Sequence, residues 1–174
     1  MGTGRAGTVW LAVHIGLEEY RAIKRISKRD ADYATFRREA LVLKELRHPG
    51  IPMIYDLEED SEFFYLIEEY LEGYSLYALI ANQGPIQEAE AVRYGMQVCG
   101  LVAYMHSACE LPILHLDLQP NNLIICNGTV KLIDFDHAAG CRWANIAPKR
   151  FGTVGCAAPE QYASDRMLDQ RTDI

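Results

Sequence analysis

Long apolar runs are missing from this sequence. Its most apolar stretches, near Val98–Met105 and Leu111–Leu118, fall short of the roughly 20 residues that a membrane-spanning helix needs. No membrane segment is therefore expected. Basic tracts are scarce as well. Lys24–Arg29 is short and is followed by acids, and 17 basic against 24 acidic side chains give a net charge of −7. That balance argues against a nucleic-acid partner. No signal-peptide pattern is present, and Met1-Gly2 does not make a myristoylation site because Ala6 stands where Ser or Thr is required. Closely spaced cysteine pairs of the metal-binding kind are absent. The five cysteines, at 99, 109, 126, 141 and 156, are scattered and odd in number, so they read as reduced thiols and point to a cytoplasmic protein. No repeat or low-complexity segment is visible. What remains is an ordinary globular balance, 49% hydrophobic and 24% charged over 174 residues, enough for one core or two small lobes.

The stretch from His115 to Asp136 organises the rest. Leu123–Cys126 and Val130–Ile133 read as short apolar strands, and Asn127-Gly128 between them is a strong hairpin signal. A hairpin lays its two ends side by side, so Asp117 and Asn122 come next to Asp134. Oxygen ligands beside a separate carboxylate suit a magnesium–nucleotide site. The ion takes carboxylate and amide oxygens together with phosphates, and the other carboxylate can accept a hydroxyl proton. A plain buried hairpin with solvated flanking acids is the alternative.

The segment His115-Leu-Asp117-Leu-Gln-Pro-Asn-Asn122 followed by Asp134-Phe135-Asp136 resembles the catalytic loop and metal motif of the protein kinase family. The surrounding chain fits that resemblance in order. Gly2, Gly4 and Gly7 precede a strand at Thr8–His14, with Val9, Leu11 and Val13 on one face. Alone they would be a glycine turn; before a strand they match a loop covering phosphates. Tyr20–Ile26 is a strand carrying Ala22-Ile23-Lys24. Asp32–Leu46 is an amphipathic helix with Phe36, Ala40 and Leu43 on its stripe and Glu39 beside it, where the family pairs a glutamate with the lysine. Ile51–Leu57 and Phe63–Glu69 read as strands across the turn Glu59–Glu62, and Glu69–Gly73 resembles the hinge that meets adenine. Ser75–Asn82 is a short helix ended by Gly84-Pro85. Gln87–Ala108 is a long helix with Ala91, Tyr94, Val98, Leu101, Val102 and Met105 on its buried face. Met96 reads as core and His106 as structural. Gly152–Glu160 resembles the peptide-binding loop and closing motif of the activation segment, and Thr172-Asp173 the helix start whose aspartate braces the catalytic loop.

The resemblance is to bacterial serine/threonine kinases in particular. It implies an α+β, two-lobed fold: a small antiparallel β lobe with one helix (1–69), a hinge (70–73), and a larger, mainly α lobe (74–174) that is incomplete. Both ends of the domain look cut under this alignment. The resemblance further implies Asp117 as catalytic base, Gln119 and Thr153 beside it, and Asn122 and Asp134 as magnesium ligands. Lys24, oriented by Glu39, would hold ATP phosphates under Gly2, Gly4 and Gly7. Val9, Ala22, Glu69, Leu71 and Ile124 would line the nucleotide site. The substrate would be a Ser or Thr hydroxyl of a protein.

Departures from the family pattern carry their own expectations. Leu116 replaces an arginine, and Gln119 a lysine that steadies the transferring phosphate; Gln can donate a hydrogen bond but brings no charge. Asp136 replaces a glycine, which should restrict movement of the metal motif. Glu68 stands at a usually apolar position behind the adenine pocket, and Cys156 replaces a tyrosine. From His137 to Phe151 there is no Ser, Thr or Tyr. With Leu116 in place of a cation, control by phosphorylation of that segment is not expected. Rival readings are a small-molecule phosphotransferase of the aminoglycoside or choline kinase type, which would explain Asp136, and a pseudokinase that only binds nucleotide.

Overall fold

The computed structural model describes residues 3–4, 7–140, 152–163 and 167–174. Gly2, Cys141 and most of the hydroxyl-free segment lie outside the described residues. The chain divides into two compact units, Met1–Glu72 and Gly73–Ile174.

The first unit is a five-stranded antiparallel sheet in the order β1-β2-β3-β5-β4 with one helix. The strands are β1 (Thr3–Gly4), β2 (Gly7–His14), β3 (Glu19–Ser27), β4 (Ile54–Glu59) and β5 (Phe63–Glu69). Helix α1 (Tyr33–Glu45) forms where Phe36, Ala40 and Leu43 recur at helical spacing. Phe36 and Ala40 pack on Ile26, Phe64 and Leu66 of the sheet. The Phe36 and Phe64 rings stack at 4.8 Å and 9°. Burying each such ring stabilises the unit by about 1.5–3 kcal/mol. Ile51 falls outside β4, which begins at Ile54. Pro52 has no amide to give a ladder, and the Ile51 N–H turns back to the His48 carbonyl at 2.9 Å.

The second unit carries short strands β6 (Tyr74–Ser75), β7 (Ile113–Leu114), β8 (Leu123–Cys126), β9 (Thr129–Leu132) and β10 (Ala139–Gly140), with helices α2 (Leu76–Gln83) and α3 (Glu88–Ser107). Ser75 caps α2 by accepting from the Ala78 N–H at 3.1 Å, and Gly84 ends it at φ +83. Helix α3 lies against β7 and β9 and buries Tyr94, Leu101, Val102 and Met105. The expected face is thus narrower than its pattern suggests. Ala91 is exposed, Val98 only half-buried, and Met96 is 71% exposed rather than core. Apolar residues surround this helix on several sides, so periodicity alone does not select the buried one. The β8–β9 hairpin forms as its turn demands: Asn127 and Gly128 both take positive φ, +50 and +80, the conformation of a type I′ turn. Its strands pair Leu123 with Leu132 through Cys126 with Thr129.

Candidate active site

The candidate residues fall into two groups, one in each unit. In the first, Gly4 pairs with Gly7 across β1 and β2. Gly7 sits at φ +130, and a Cβ there would come within 2.3 Å of the Arg25 carbonyl oxygen, so this position admits only glycine without a main-chain shift. The register sets Val9 opposite Lys24 and Leu11 opposite Ala22, which places all four side chains on one face of the sheet. Lys24 and Glu39 are 6% and 4% exposed. The Lys24 ammonium lies 3.0 and 3.2 Å from the two Glu39 carboxylate oxygens. A buried pair at this distance fixes the long lysine stem. Glu69 ends β5; its N–H donates to the Met53 carbonyl at 2.8 Å, and its carboxylate accepts from the Met53 N–H at 3.2 Å. Leu71 is half-buried.

In the second unit the chain from His115 to Asn122 is fixed by its main chain. The Asp173 carboxylate accepts from the N–H of His115 at 2.9 Å and of Leu116 at 2.8 Å. His106 Nε2 lies 3.0 Å from the same carboxylate, so the structural role expected for that histidine is present. Asp173 reaches this position on a 3-10 turn, Gln170–Asp173, capped by Asp169.

Around Asp117 the side chains close a ring. Thr153 Oγ1 donates to Asp117 Oδ1 at 2.7 Å. Gln119 Nε2 donates to Asp117 Oδ2 at 2.7 Å and to Thr153 Oγ1 at 3.0 Å. Asn122 Nδ2 donates to Asp117 Oδ2 at 3.0 Å and to the Asp117 carbonyl at 2.9 Å. Three donors on a carboxylate with about four acceptor sites leave it able to accept one more hydrogen. Gln119 has both amide hydrogens committed to Asp117 and Thr153, so here it holds the pair together. Asn122 has its NH₂ likewise committed, to the Asp117 carboxylate and carbonyl. Ile133 N–H donates to the Asn122 carbonyl at 2.9 Å, which ties the two ends of the hairpin and brings Asp134 next to that junction. Ile124 is half-buried on β8. Asp134 takes φ +64, which aspartate tolerates. Asp136, in contrast, is not among the positive-φ residues, so its own backbone has no need of glycine in this conformation. The Asn122 amide and the Asp134 carboxylate, at the two ends of the hairpin, both offer oxygen, the donor type that a hard divalent cation such as magnesium takes.

The family model for the protein kinase domain matches residues 1–174. The chain belongs to the protein kinase domain family. This kinase domain is 33% identical over 184 residues to the serine/threonine-protein kinase PrkC of Bacillus subtilis. It is 32% identical over 185 residues to an Aurora kinase of Eremothecium gossypii, and 32% over 179 residues to calcium-dependent protein kinase 5 of Plasmodium falciparum. All of the chain is covered in each case, against 27%, 48% and 31% of those relatives. The kinase domain thus spans between about a quarter and a half of the length of these curated relatives. No helix among the described residues is long and apolar enough to cross a membrane.

Two glutamines escaped the motif reading of the kinase domain. Gln97 on α3 donates from Nε2 to the Gly128 carbonyl at 3.1 Å and accepts from the Val130 N–H at 2.9 Å, pinning the hairpin. Gln161 donates from Nε2 to the Leu116 carbonyl at 2.7 Å. A glutamine has no signature spacing, so only the fold could find either.

Proposed function

We propose that this domain is an ATP-dependent serine/threonine protein kinase. It transfers the γ-phosphoryl group of ATP to a Ser or Thr hydroxyl of a protein substrate. The observation that carries the reading is the ring of Asp117, Gln119, Thr153 and Asn122, in which a carboxylate is held by three side-chain donors with an acceptor site to spare.

Asp117 orients the substrate hydroxyl and takes its proton as the oxygen–phosphorus bond to the acceptor forms and that to the β-phosphate oxygen breaks. Thr153 and Gln119 keep the Asp117 carboxylate in one rotamer, so no reorganisation is needed at the moment of transfer. Lys24, set by Glu39, holds the α- and β-phosphates. The glycines Gly4 and Gly7, paired across β1 and β2, would cover them. On the first unit Val9, Ala22 and Leu71 would contact adenine, with main-chain groups from Glu69 to Leu71 at its edge; on the second unit Ile124 would. Magnesium, bound through Asn122 and Asp134 oxygens, would neutralise phosphate charge. Serine/threonine kinase relatives support a protein hydroxyl as acceptor, whereas the small-molecule phosphotransferase reading finds no support among them.

Asp117→Asn tests the assignment. It should lower kcat on dephosphorylated casein by at least about 10³-fold, because the base supplies roughly 10²–10⁴ and the ring also loses an acceptor. ATP affinity should stay within about twofold, since the base acts on the hydroxyl. Near-normal transfer by this variant would show that Asp117 is not the base.

A further inference from the structure

Leu116 is held in a conformation it does not favour. Its φ is +66, in the left-handed region where a side chain with Cβ is crowded. Such a residue persists only where its surroundings hold it, and here three do. Its side chain is 3% exposed and packs with Leu114, Ala139 and Leu168. Its N–H donates to Asp173 Oδ1 at 2.8 Å, and its carbonyl accepts from Gln161 Nε2 at 2.7 Å.

Gln161 is itself immobilised. It is 5% exposed and sits at the end of the 3-10 turn Pro159–Gln161. Its Oε1 accepts from the Ala158 N–H at 3.0 Å, so the amide has one possible orientation: oxygen to a main-chain donor, nitrogen to the Leu116 carbonyl. That carbonyl belongs to the peptide group joining Leu116 to Asp117. The tilt of this peptide decides where the Asp117 side chain begins. The segment carrying Gln161 also carries Thr153, which donates to the Asp117 carboxylate. One stretch of chain therefore grips Asp117 at both its peptide and its side chain.

We infer that Gln161 is a positioning residue for Asp117: it fixes the Leu116–Asp117 peptide so that the carboxylate meets Thr153 and Gln119. The inference rests on the reading of Asp117 as the base. It predicts a loss in turnover and not in nucleotide binding.

The test uses the full-length protein, with kcat on dephosphorylated casein, KM for ATP, and thermal melting. Gln161→Met keeps length and burial but cannot donate. Gln161→Glu keeps the acceptor for Ala158 and loses the donor. Each should lower kcat by about tenfold or more, with KM for ATP within about twofold and a cooperative melt retained. The second readout is coupling. Thr153→Ala removes the other grip, and Gln161→Met in that background should cost much less than tenfold, because groups acting on one carboxylate do not add. Wild-type kcat in a folded Gln161→Met protein would overturn the inference. So would equal losses of kcat and ATP binding, strict additivity with Thr153→Ala, or loss of cooperative melting in both Gln161 variants. Asp117→Asn in the same assay separates the two layers. If it is inactive while Gln161→Met is normal, only the positioning inference fails; if it is active, the base assignment fails first.

Discussion

Each unit buries an anion, and the two solve the problem differently. In the first, Glu39 is neutralised by a cation, the Lys24 ammonium at 3.0 Å, with both side chains under 10% exposed. In the second, Asp173 is satisfied by main-chain N–H groups of His115 and Leu116 and by the His106 ring. Charge against charge leaves each partner costly without the other. Charge against amides stabilises the backbone that supplies them, here the two residues before Asp117. The first arrangement positions a side chain, and the second shapes a loop.

Breaking the ion pair should have the largest effect on stability. Lys24→Met leaves Glu39 buried without its cation, which costs about 3–5 kcal/mol when one partner of a buried pair is removed. Urea unfolding should show that loss. The double variant Lys24→Met with Glu39→Leu should regain most of it, since a well-packed apolar pair of similar volume is often neutral. ATP binding should remain weak in both. A single variant as stable as the wild type would mean that solvent, and not Lys24, compensates Glu39.

Asp173→Asn should have a smaller effect, about 1.5–3 kcal/mol, the range for hydrogen bonds to a charged group. The amide keeps one acceptor oxygen for two N–H groups and turns an NH₂ toward donors. Because those N–H groups belong to His115 and Leu116, the loss should appear in kcat as well as in stability. If stability falls while kcat is untouched, the carboxylate braces the fold without shaping the catalytic loop.

Much of this was legible in the sequence, and the particular residues show why. Asn127-Gly128 allows little besides a type I′ turn, so the hairpin and the adjacency of Asn122 and Asp134 followed. Glu39 could be paired with Lys24 only through the family resemblance, in which the helix presents a glutamate at this place beside the Phe36, Ala40 and Leu43 stripe. Leu116 was different: leucine has no preference for positive φ, and the conformation is imposed by Asp173 and Gln161, which lie 57 and 45 residues away. The exposure of Met96 escaped for a related reason. Burial on α3 depends on where β7 and β9 lie, and helical spacing alone does not say.

The smallest effect should come from a single histidine and a change of pH. His115 is fully buried, with its ring edge-on to Phe135 at 4.9 Å. The Asp117 N–H can only donate, so Nδ1, at 3.3 Å, is its acceptor. The hydrogen then sits on Nε2, which faces the Ile133 carbonyl at 3.2 Å. Both ring nitrogens are thus used by the neutral form, and a proton on Nδ1 would meet the Asp117 N–H head-on. Burial lowers the His115 pKa below its ordinary 6.5; Asp173, the Ile133 carbonyl, Asp134 and Asp117 pull the other way without reversing it. The folded state therefore binds this proton less readily than the unfolded chain. Its stabilising contribution is complete above 6.5 and is lost as pH falls below that value toward the folded pKa, with a slope of at most about 1.4 kcal/mol per pH unit. The Asp169 carboxylate, held at about 2 by its hydrogen bond from Arg171, titrates well below this window and does not blur it. Melting measured from pH 7.5 downward should fall for the wild type and fall less for His115→Gln, whose amide can serve the same two partners without titrating. An identical pH dependence in both proteins would show that the slope arises elsewhere, and a wild type that gains stability below pH 6.5 would reverse the sign of the argument.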